Sequence, residues 1–237
     1  MIMKALVLES KGTPFVYRDV KDPVLNENEA VAKIIACGSG LTIQHVRAGR
    51  IKVDYPRIIG HEITAVIEEV GKNVTNVSVG DAVTAYFYLT CGHCKWCNDN
   101  RETLCENFGG YVGREIDGAY AEYMKLPAEN FLKIPEALDW KKNPAEIAVI
   151  CDAIATPFKV IRHASIKTQD TVAIIGAGGG LGIHMIMMAK WANSTVIAVD
   201  IASDKFAACK QVGADICINP RDHNDNQAFY DYTKGLG

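Results

Sequence analysis

The sequence predicts an α/β protein in which a β-rich first part is followed by an incomplete doubly wound parallel sheet. One observation is the series of short β-branched or alternating apolar runs, separated by Gly, Pro, Asn and Asp, that continues to about Trp140. Another is the succession of strand, glycine-rich turn, helix and strand between Thr171 and Asp200. The third is the short remainder after Asp200, which holds a helix, one more strand and a short helix, whereas a complete doubly wound fold has about six strands. The sequence therefore predicts a fragment, or a protein whose partner supplies the rest.

The first part carries its predicted strands at residues 5–8, 30–36, 63–70, 82–85 and 119–126. The segments Gly71-Lys-Asn73 and Val79-Gly-Asp81 between them are typical of turns. Many short strands joined by such turns favour a partly closed barrel. Helical spacing follows at residues 145–150 and 154–164, so we predict two domains with the bounds 1–150 and 151–237.

Composition and charge exclude several classes of partner. The chain has 237 residues, of which 49% are hydrophobic, and its formal net charge of −3 gives no electrostatic reason to expect a nucleic acid or an anionic membrane. Residues 171–189 contain no Asp, Glu, Lys or Arg over nearly the length of a membrane span, about 20 residues. The five glycines and the histidine within them favour a buried parallel strand joined to a core-facing helix instead. Because the N-terminus shows no secretory signal, the sequence predicts a cytoplasmic protein. The net charge and the character of residues 171–189 predict that nucleic acids and membranes are not its partners.

The glycine-rich turn between the first two parallel strands is the candidate cofactor site. It consists of Gly176, Ala177, Gly178, Gly179, Gly180, Leu181 and Gly182. Residues without side chains let the backbone N–H groups at a helix N-terminus approach a pyrophosphate. Asp200 ends the second strand, where a carboxylate can bind both hydroxyls of an adenosine ribose and repel a 2′-phosphate, and Lys205 follows within reach of the same ribose. The pattern therefore predicts NAD rather than NADP, the alternative being a glycine-rich turn in another kind of α/β domain.

A cysteine-rich segment at about residues 88–108 is the candidate metal lobe. Its thiols belong to Cys91, Cys94, Cys97 and Cys105. Three thiols spaced three residues apart, with a fourth eight residues later, can converge tetrahedrally on one Zn²⁺, which closes the site to water and makes the metal structural. Disulfides and an iron–sulfur cluster are the alternatives, and a reducing compartment disfavours the first.

Further motifs follow one another in a defined order along the chain. They are Cys37-Gly-Ser-Gly-Leu-Thr42-Ile-Gln-His45, then Gly60-His61-Glu62, then the cysteine lobe, then Cys151-Asp152 with Thr156 before the glycine turn. In this order the set resembles the zinc-dependent medium-chain alcohol dehydrogenases over nearly the whole chain. The resemblance implies a GroES-like β-barrel domain followed by a Rossmann-type domain for NAD, and a missing C-terminal part that completes the Rossmann sheet and returns to the barrel. It also implies a small alcohol or carbonyl substrate and, for the full-length protein, a homo-oligomer.

The resemblance assigns a proton path to residues near the start of a helix. Thr42 would take the proton of the alcohol and His45 would pass it to solvent, which suits the near-neutral pKa of histidine. As a residue at a helix start, Thr42 is also a natural N-cap. Thr156 would contact the cofactor.

The resemblance also implies a catalytic zinc that lowers the pKa of the substrate oxygen. His61 and Asp152 would bind this zinc, with Glu62 as a ligand or close neighbour. The family's cysteine ligand, however, falls at Gly40, which has no donor. The remaining set is rich in nitrogen and oxygen and would therefore bind zinc less tightly. The further ligands that stay open are water and displaced Cys37 or Cys151.

The sequence supports one leading function and two alternatives. The leading one is an NAD-dependent oxidoreductase that transfers a hydride between an alcohol, or its carbonyl product, and the nicotinamide. Gly40 favours an alternative without the catalytic zinc, namely a metal-free medium-chain reductase that acts on activated C=C bonds. The other alternative is a non-catalytic fragment that binds a nucleotide and is stapled by zinc.

Overall fold

The computed structural model describes residues 2–222 and 225–234, which form two compact units divided between Cys151 and Asp152. The strands of the first unit are β1 (Ile2–Leu8), β2 (Phe15–Lys21), β3 (Glu29–Cys37), β4 (Arg57–Ile58), β5 (Ile63–Val70), β6 (Ala82–Ala85), β7 (Tyr88–Leu89), β8 (Gly110–Tyr111), β9 (Tyr123–Pro127) and β10 (Phe131–Lys133). Its α-helices are α1 (Leu41–Arg47), α2 (Lys95–Asn98) and α3 (Pro144–Ala148). The described strands pair antiparallel in the orders β2-β1-β4, β10-β6-β5-β3-β9 and β7-β8.

Strands β3 and β5 form the centre of the larger sheet. Ala32 pairs with Ile67, so a small side chain faces a large one across the two strands. Burial of an isoleucine such as Ile67 contributes about 1.5 to 3 kcal/mol. The register also places Cys37 opposite Ile63. The segment after β3 and the segment before β5, which carry candidate site residues, therefore lie side by side.

The second unit is a parallel sheet with helices between its strands. Its elements are α4 (Ala155–His163), β11 (Thr171–Ile175), α5 (Gly180–Trp191), β12 (Thr195–Val199), α6 (Phe206–Gln211), β13 (Ile216–Ile218) and α7 (Asp225–Thr233). Within the described residues the strands pair in the order β11-β12-β13. The core packs Ile186 and Ala189 of α5 with Val196 and Ala198 of β12. The predicted α/β class, with antiparallel sheets followed by a partial Rossmann-type parallel sheet, is confirmed.

Most of the strands predicted for the first unit lie within observed strands, and the exceptions have local causes. The prediction for residues 119–126 is wrong at its start, because the strand begins at Tyr123 and Ala121 forms only an isolated bridge to Ala5. Strand β2 was not predicted. Its side chains are mostly exposed on both faces, so it lacks the apolar alternation by which a half-buried strand is recognised.

Two predictions for the second unit are wrong. The apolar run predicts that the helix after the glycine turn spans Ile183 to Ala192, but α5 begins at Gly180, because the Ile183 N–H already bonds to the Gly179 carbonyl at 2.9 Å. Strand β11 is not a buried strand. Thr171, Ala173 and Ile175, which is 76% exposed, lie on one face of β11 that the described residues leave uncovered, whereas Ile174 on the other face is buried. None of the described helices is both long enough and apolar enough to cross a membrane.

Candidate functional site

The four cysteines of the lobe converge on one point. Their Sγ atoms all lie within 4.8 Å of one another. Cys97 Sγ is 3.5 Å from Cys94 Sγ and 3.9 Å from Cys91 Sγ. A tetrahedral Zn²⁺ with bonds of about 2.3 Å holds its thiolates about 3.8 Å apart. The spacing therefore fits a zinc ion, whereas none of the eight cysteines forms a disulfide.

Backbone N–H groups point at two of these sulfur atoms. The Cys94 N–H donates to Cys91 Sγ at 3.4 Å, and the Cys91 N–H donates to Cys105 Sγ at 3.3 Å. The backbone N–H of His93, followed by that of Cys94, lowers the pKa of the Cys91 thiol to about 6. Such donors favour the thiolate, which is the form that binds metal. The His93 ring contacts the Cys91 carbonyl at 2.6 Å and is not among the converging donors.

A short strand pair, β7 with β8, flanks the cysteine lobe in the sequence, and Phe87, immediately before β7, contacts His61. The Phe87 ring packs on the His61 ring with 4.8 Å between their centroids. Asn130 is buried and its Nδ2 donates to the carbonyls of Tyr86, at 2.6 Å, and Tyr88, at 2.9 Å. One asparagine thus fixes the backbone on both sides of Phe87. Sequence reasoning missed Asn130, since an isolated asparagine carries no motif.

His61 and Glu62 immediately precede β5, and both are buried. The Gly38 N–H donates to the Glu62 carbonyl at 2.7 Å, and a Cβ on Gly38 would lie only 2.6 Å from Glu62 Oε2. Tyr120 Oη donates to the Gly38 carbonyl at 3.3 Å. Burial, together with the charge of Glu62, raises the pKa of the Cys37 thiol to about 12. The Glu62 carboxylate therefore occupies space that is available only because Gly38 has no side chain.

The donors of this region do not fit a zinc site within the first unit. Among the described residues of that unit, the cysteine lobe is the one group of three or more His, Cys, Asp or Glu side chains whose donor atoms converge. Gly40 supplies no donor, and a Cβ there would lie 3.5 Å from Glu62 Oε2. Asp152 belongs to the second unit, where its Oδ1 accepts a hydrogen bond from Thr156 Oγ1 at 2.9 Å. The first unit thus offers His61 and Glu62, whereas zinc sites use three or four protein ligands.

Thr42 and His45 lie three residues apart on α1 and therefore on the same face of the helix. The helix begins at Leu41 with Gly40 as its N-cap, so the N-cap interpretation of Thr42 is wrong. Arg50 Nη1 lies 3.1 Å from His45 Nδ1. A guanidinium can only donate, so Nδ1 accepts and the neutral ring carries its proton on Nε2. Arg50 was not predicted, because no pattern links an exposed arginine to a histidine on the preceding helix.

The glycine turn and Asp200 are joined by hydrogen bonds. The Gly178 N–H donates to Asp200 Oδ2 at 2.8 Å, and the Ala202 N–H donates to Asp200 Oδ1 at 2.9 Å. A Cβ on Gly178 would lie 2.5 Å from Lys205 Cβ, so Lys205 packs directly against the turn. Each carboxylate oxygen can accept more than one hydrogen bond, which leaves Asp200 able to bind further hydroxyl groups.

The first turn of α5 is open to a ligand. Its N-cap is Gly179, and no side chain caps the helix. A Cβ on Gly180 would have no heavy atom within 4 Å, whereas a Cβ on Gly182 would lie 2.3 Å from the Gly176 carbonyl oxygen. Leu181, between them, is 49% exposed. Uncapped N–H groups at the positive end of a 12-residue helix suit a pyrophosphate, so the residues of the turn fit the phosphates of a dinucleotide.

Comparisons with known proteins give the family of the chain. Residues 26–136 match the alcohol dehydrogenase GroES-like domain, and residues 180–237 match the zinc-binding dehydrogenase domain. Two alcohol dehydrogenases of Geobacillus stearothermophilus are 39% and 38% identical over 94% and 99% of this chain, which covers 65% and 68% of their lengths. An acryloyl-coenzyme A reductase of Sulfurisphaera tokodaii is 30% identical over 98% of this chain and 68% of its own length.

Solved structures agree with the sequence comparison. The alcohol dehydrogenase TADH from Thermus sp. ATN1 superposes with a TM-score of 0.90 at 27% identity, over 99% of this chain and 68% of that one. The chain thus spans about two thirds of the length of the relatives it matches. Two domain matches in the expected order, with 38% identity along nearly the whole sequence, place the chain in the zinc-binding medium-chain alcohol dehydrogenase family.

Proposed function

We propose that this chain is part of an NAD-dependent oxidoreductase that transfers a hydride between the nicotinamide and an alcohol or its carbonyl product. The observation that carries the proposal is the position of Asp200 at the end of β12, hydrogen-bonded to the glycine turn through Gly178. A carboxylate in this place binds the hydroxyls of an adenosine ribose and repels a 2′-phosphate, which favours NAD. NAD, when bound, supplies the acceptor or donor of the hydride.

The proton that accompanies the hydride would pass through α1. The Thr42 hydroxyl would receive it from the alcohol, and His45, one turn further on the same face, would release it to solvent. For the ring to pass a proton on, Nδ1 would exchange its hydrogen bond from Arg50 for the incoming proton, and Nε2–H would then be the proton released to solvent. The cysteine lobe would hold a structural zinc ion away from this chemistry.

The cofactor preference can be tested with the part of NAD that the second unit would bind. We expect 5′-AMP to bind this chain about tenfold or more tightly than 2′,5′-ADP, a difference of about 1.4 kcal/mol, as measured by calorimetry. Asp200→Asn should remove most of this preference, because the charge that repels the 2′-phosphate is lost. Asp204→Asn removes an equal charge from an exposed position nearby and should leave the preference unchanged. Tighter binding of 2′,5′-ADP to the unmodified chain would contradict the choice of NAD.

The reaction itself needs a separate assay. We expect NAD-dependent turnover of at least one member of a broad panel of primary and secondary alcohols and their carbonyl products. An absence of turnover across that panel, with 5′-AMP binding intact, would contradict the enzymatic part of the proposal. A homo-oligomeric assembly, a cytoplasmic location and the absence of nucleic-acid partners stay predictions.

Gly40 favours a second candidate function, a metal-free reductase of activated C=C bonds. A hydride can reach such a bond without a metal on the substrate oxygen, and one relative is named as an acryloyl-coenzyme A reductase. Mild chelation distinguishes the two candidates. Loss of activity without unfolding would favour an alcohol dehydrogenase that uses a second, loosely held metal ion, and retained activity would favour the reductase.

A further inference from the structure

We propose that this chain retains one tightly bound zinc ion, in the cysteine lobe, and that Gly40 is the residue that prevents a second zinc site at His61 and Glu62. Zinc binding at these places does not depend on whether the chain binds NAD. The donors of the first unit lie in three short segments, residues 37–40, 60–62 and 91–105.

The His61–Glu62 region has too few donors to hold zinc tightly. His61 and Glu62 are adjacent and buried, but no third donor in the described part of the first unit converges with them. Cys37 is the nearest thiol along the chain, and its Sγ lies against the Gly38 carbonyl at 3.6 Å rather than in a donor group. An oxygen from Asp152 would add no thiolate, and sets of nitrogen and oxygen hold zinc less tightly than sets that include sulfur.

Glu62 is held in place by its contacts with Gly38. The backbone of Gly38 holds the Glu62 carbonyl at 2.7 Å, and the absence of a Cβ on Gly38 lets the Glu62 side chain lie against it. Glu62 Oε2 therefore points toward the glycine-rich segment after β3. It lies 3.5 Å from the place where a Cβ on Gly40 would be, which is an ordinary van der Waals distance.

The backbone and the surroundings of Gly40 leave room for a side chain. Its φ of −76° is available to any residue, and no heavy atom other than Glu62 Oε2 lies within 4 Å of an added Cβ. A cysteine at this position would bring a thiolate next to the Glu62 carboxylate, whose neighbour in the chain is His61. The first unit would then offer three donors, the number that zinc requires before a water completes its coordination.

The test is the zinc content of three proteins after dialysis against a competing chelator. By elemental analysis we expect about one zinc ion per chain for the unmodified protein, about two for Gly40→Cys and about one for Gly40→Ala. Gly40→Ala is the matched control, because it adds the same Cβ without a donor. Replacement of zinc by cobalt should add further thiolate-to-cobalt absorption in Gly40→Cys alone.

Two results would overturn the proposal. The first is two tightly held zinc ions in the unmodified chain, which would mean that the present donors suffice. The second is a folded Gly40→Cys variant that still holds one zinc ion. If that variant does not fold, Cys97→Ser in the unmodified background takes its place as the test. We expect this change to remove all tightly bound zinc, and retention of one ion would overturn the assignment to the cysteine lobe.

Discussion

The cysteine lobe and the His61–Glu62 region are the two candidate zinc sites of the first unit, and they differ in where their donors come from in the sequence. The lobe takes its four donors from one short stretch, residues 91–105, and they converge within 4.8 Å. The His61–Glu62 region takes two donors from adjacent residues, and every further donor must come from a distant segment. A site closed by local loops is complete by itself, whereas a site assembled from separate segments can lose a donor at a single position such as Gly40.

The two regions also differ in what holds them together. The buried cluster of the lobe consists of its cysteines and Trp96, so it has little apolar core of its own. Glu62 and His61, by contrast, are held by hydrogen bonds and ring contacts to Gly38 and Phe87, next to the main core of the sheet. Metal should therefore be essential to the fold of the lobe and unnecessary to the fold of the other region.

Removal of one lobe ligand should have the largest effect. Cys97 is buried and its sulfur contacts two other thiols, so Cys97→Ser should lower the zinc content from about one ion per chain to nearly none. Zinc binding supplies about 10 to 16 kcal/mol in small structural sites, so the lobe should unfold locally. Elemental analysis and limited proteolysis between residues 88 and 108 measure the two consequences.

The control for this change is Cys217→Ser in β13, a partly buried thiol outside the lobe. It should leave both the zinc content and the protease resistance of the lobe unchanged. Zinc retained by Cys97→Ser, or a lobe that resists protease without metal, would remove the contrast between the two regions.

Patterns confined to one stretch of sequence could be predicted, because their physical cause lies within that stretch. The strands at residues 171–175 and 195–199 follow from β-branched apolar runs, and the convergence of the cysteines follows from their spacing. The missing donor at Gly40 is local as well, because it follows from the spacing of Cys37, Thr42 and His45 in the motif that resembles this family's.

Contacts between distant segments could not be predicted in this way. The contact of Gly38 with Glu62 depends on the register between β3 and β5. Asn130 reaches Tyr86 and Tyr88 across more than 40 residues of sequence. The exposure of one face of β11 depends on which elements pack against that face, which no local pattern contains.

Asn130 lies between the two regions, and its replacement should have an intermediate effect. Asn130→Ala would remove both hydrogen bonds to the Tyr86 and Tyr88 carbonyls and would open a small cavity at a buried position. Each hydrogen bond contributes about 0.5 to 1.5 kcal/mol, so we expect the free energy of unfolding to fall by about 2 to 3 kcal/mol. Urea denaturation measures this change.

Asn76→Ala is the matched control, because Asn76 is exposed and its amide donates to the Ala128 carbonyl at 2.8 Å. This change should cost about 0.5 to 1 kcal/mol. If the two variants lose equal stability, Asn130 does not fix the backbone of residues 86–88, whose Phe87 ring contacts His61.

The smallest expected effect comes from a methyl group added beside Glu62. In Gly38→Ala the new Cβ would lie 2.6 Å from Glu62 Oε2 and 2.9 Å from Glu62 Cβ. The carboxylate can rotate away, but the Cβ is fixed by the backbone. We therefore expect a loss of about 1 to 2 kcal/mol in the free energy of unfolding, within the range for overpacked sites, again by urea denaturation.

Gly40→Ala adds the same methyl group two residues further along, where its nearest neighbour is Glu62 Oε2 at 3.5 Å. It should cost only about 0.5 kcal/mol, because alanine is a poorer N-cap than glycine for α1. The difference between the two variants measures how firmly Glu62 is held against Gly38. Equal losses would mean that Glu62 is free to move, and the His61–Glu62 region would then be a loose set of donors rather than a fixed pair.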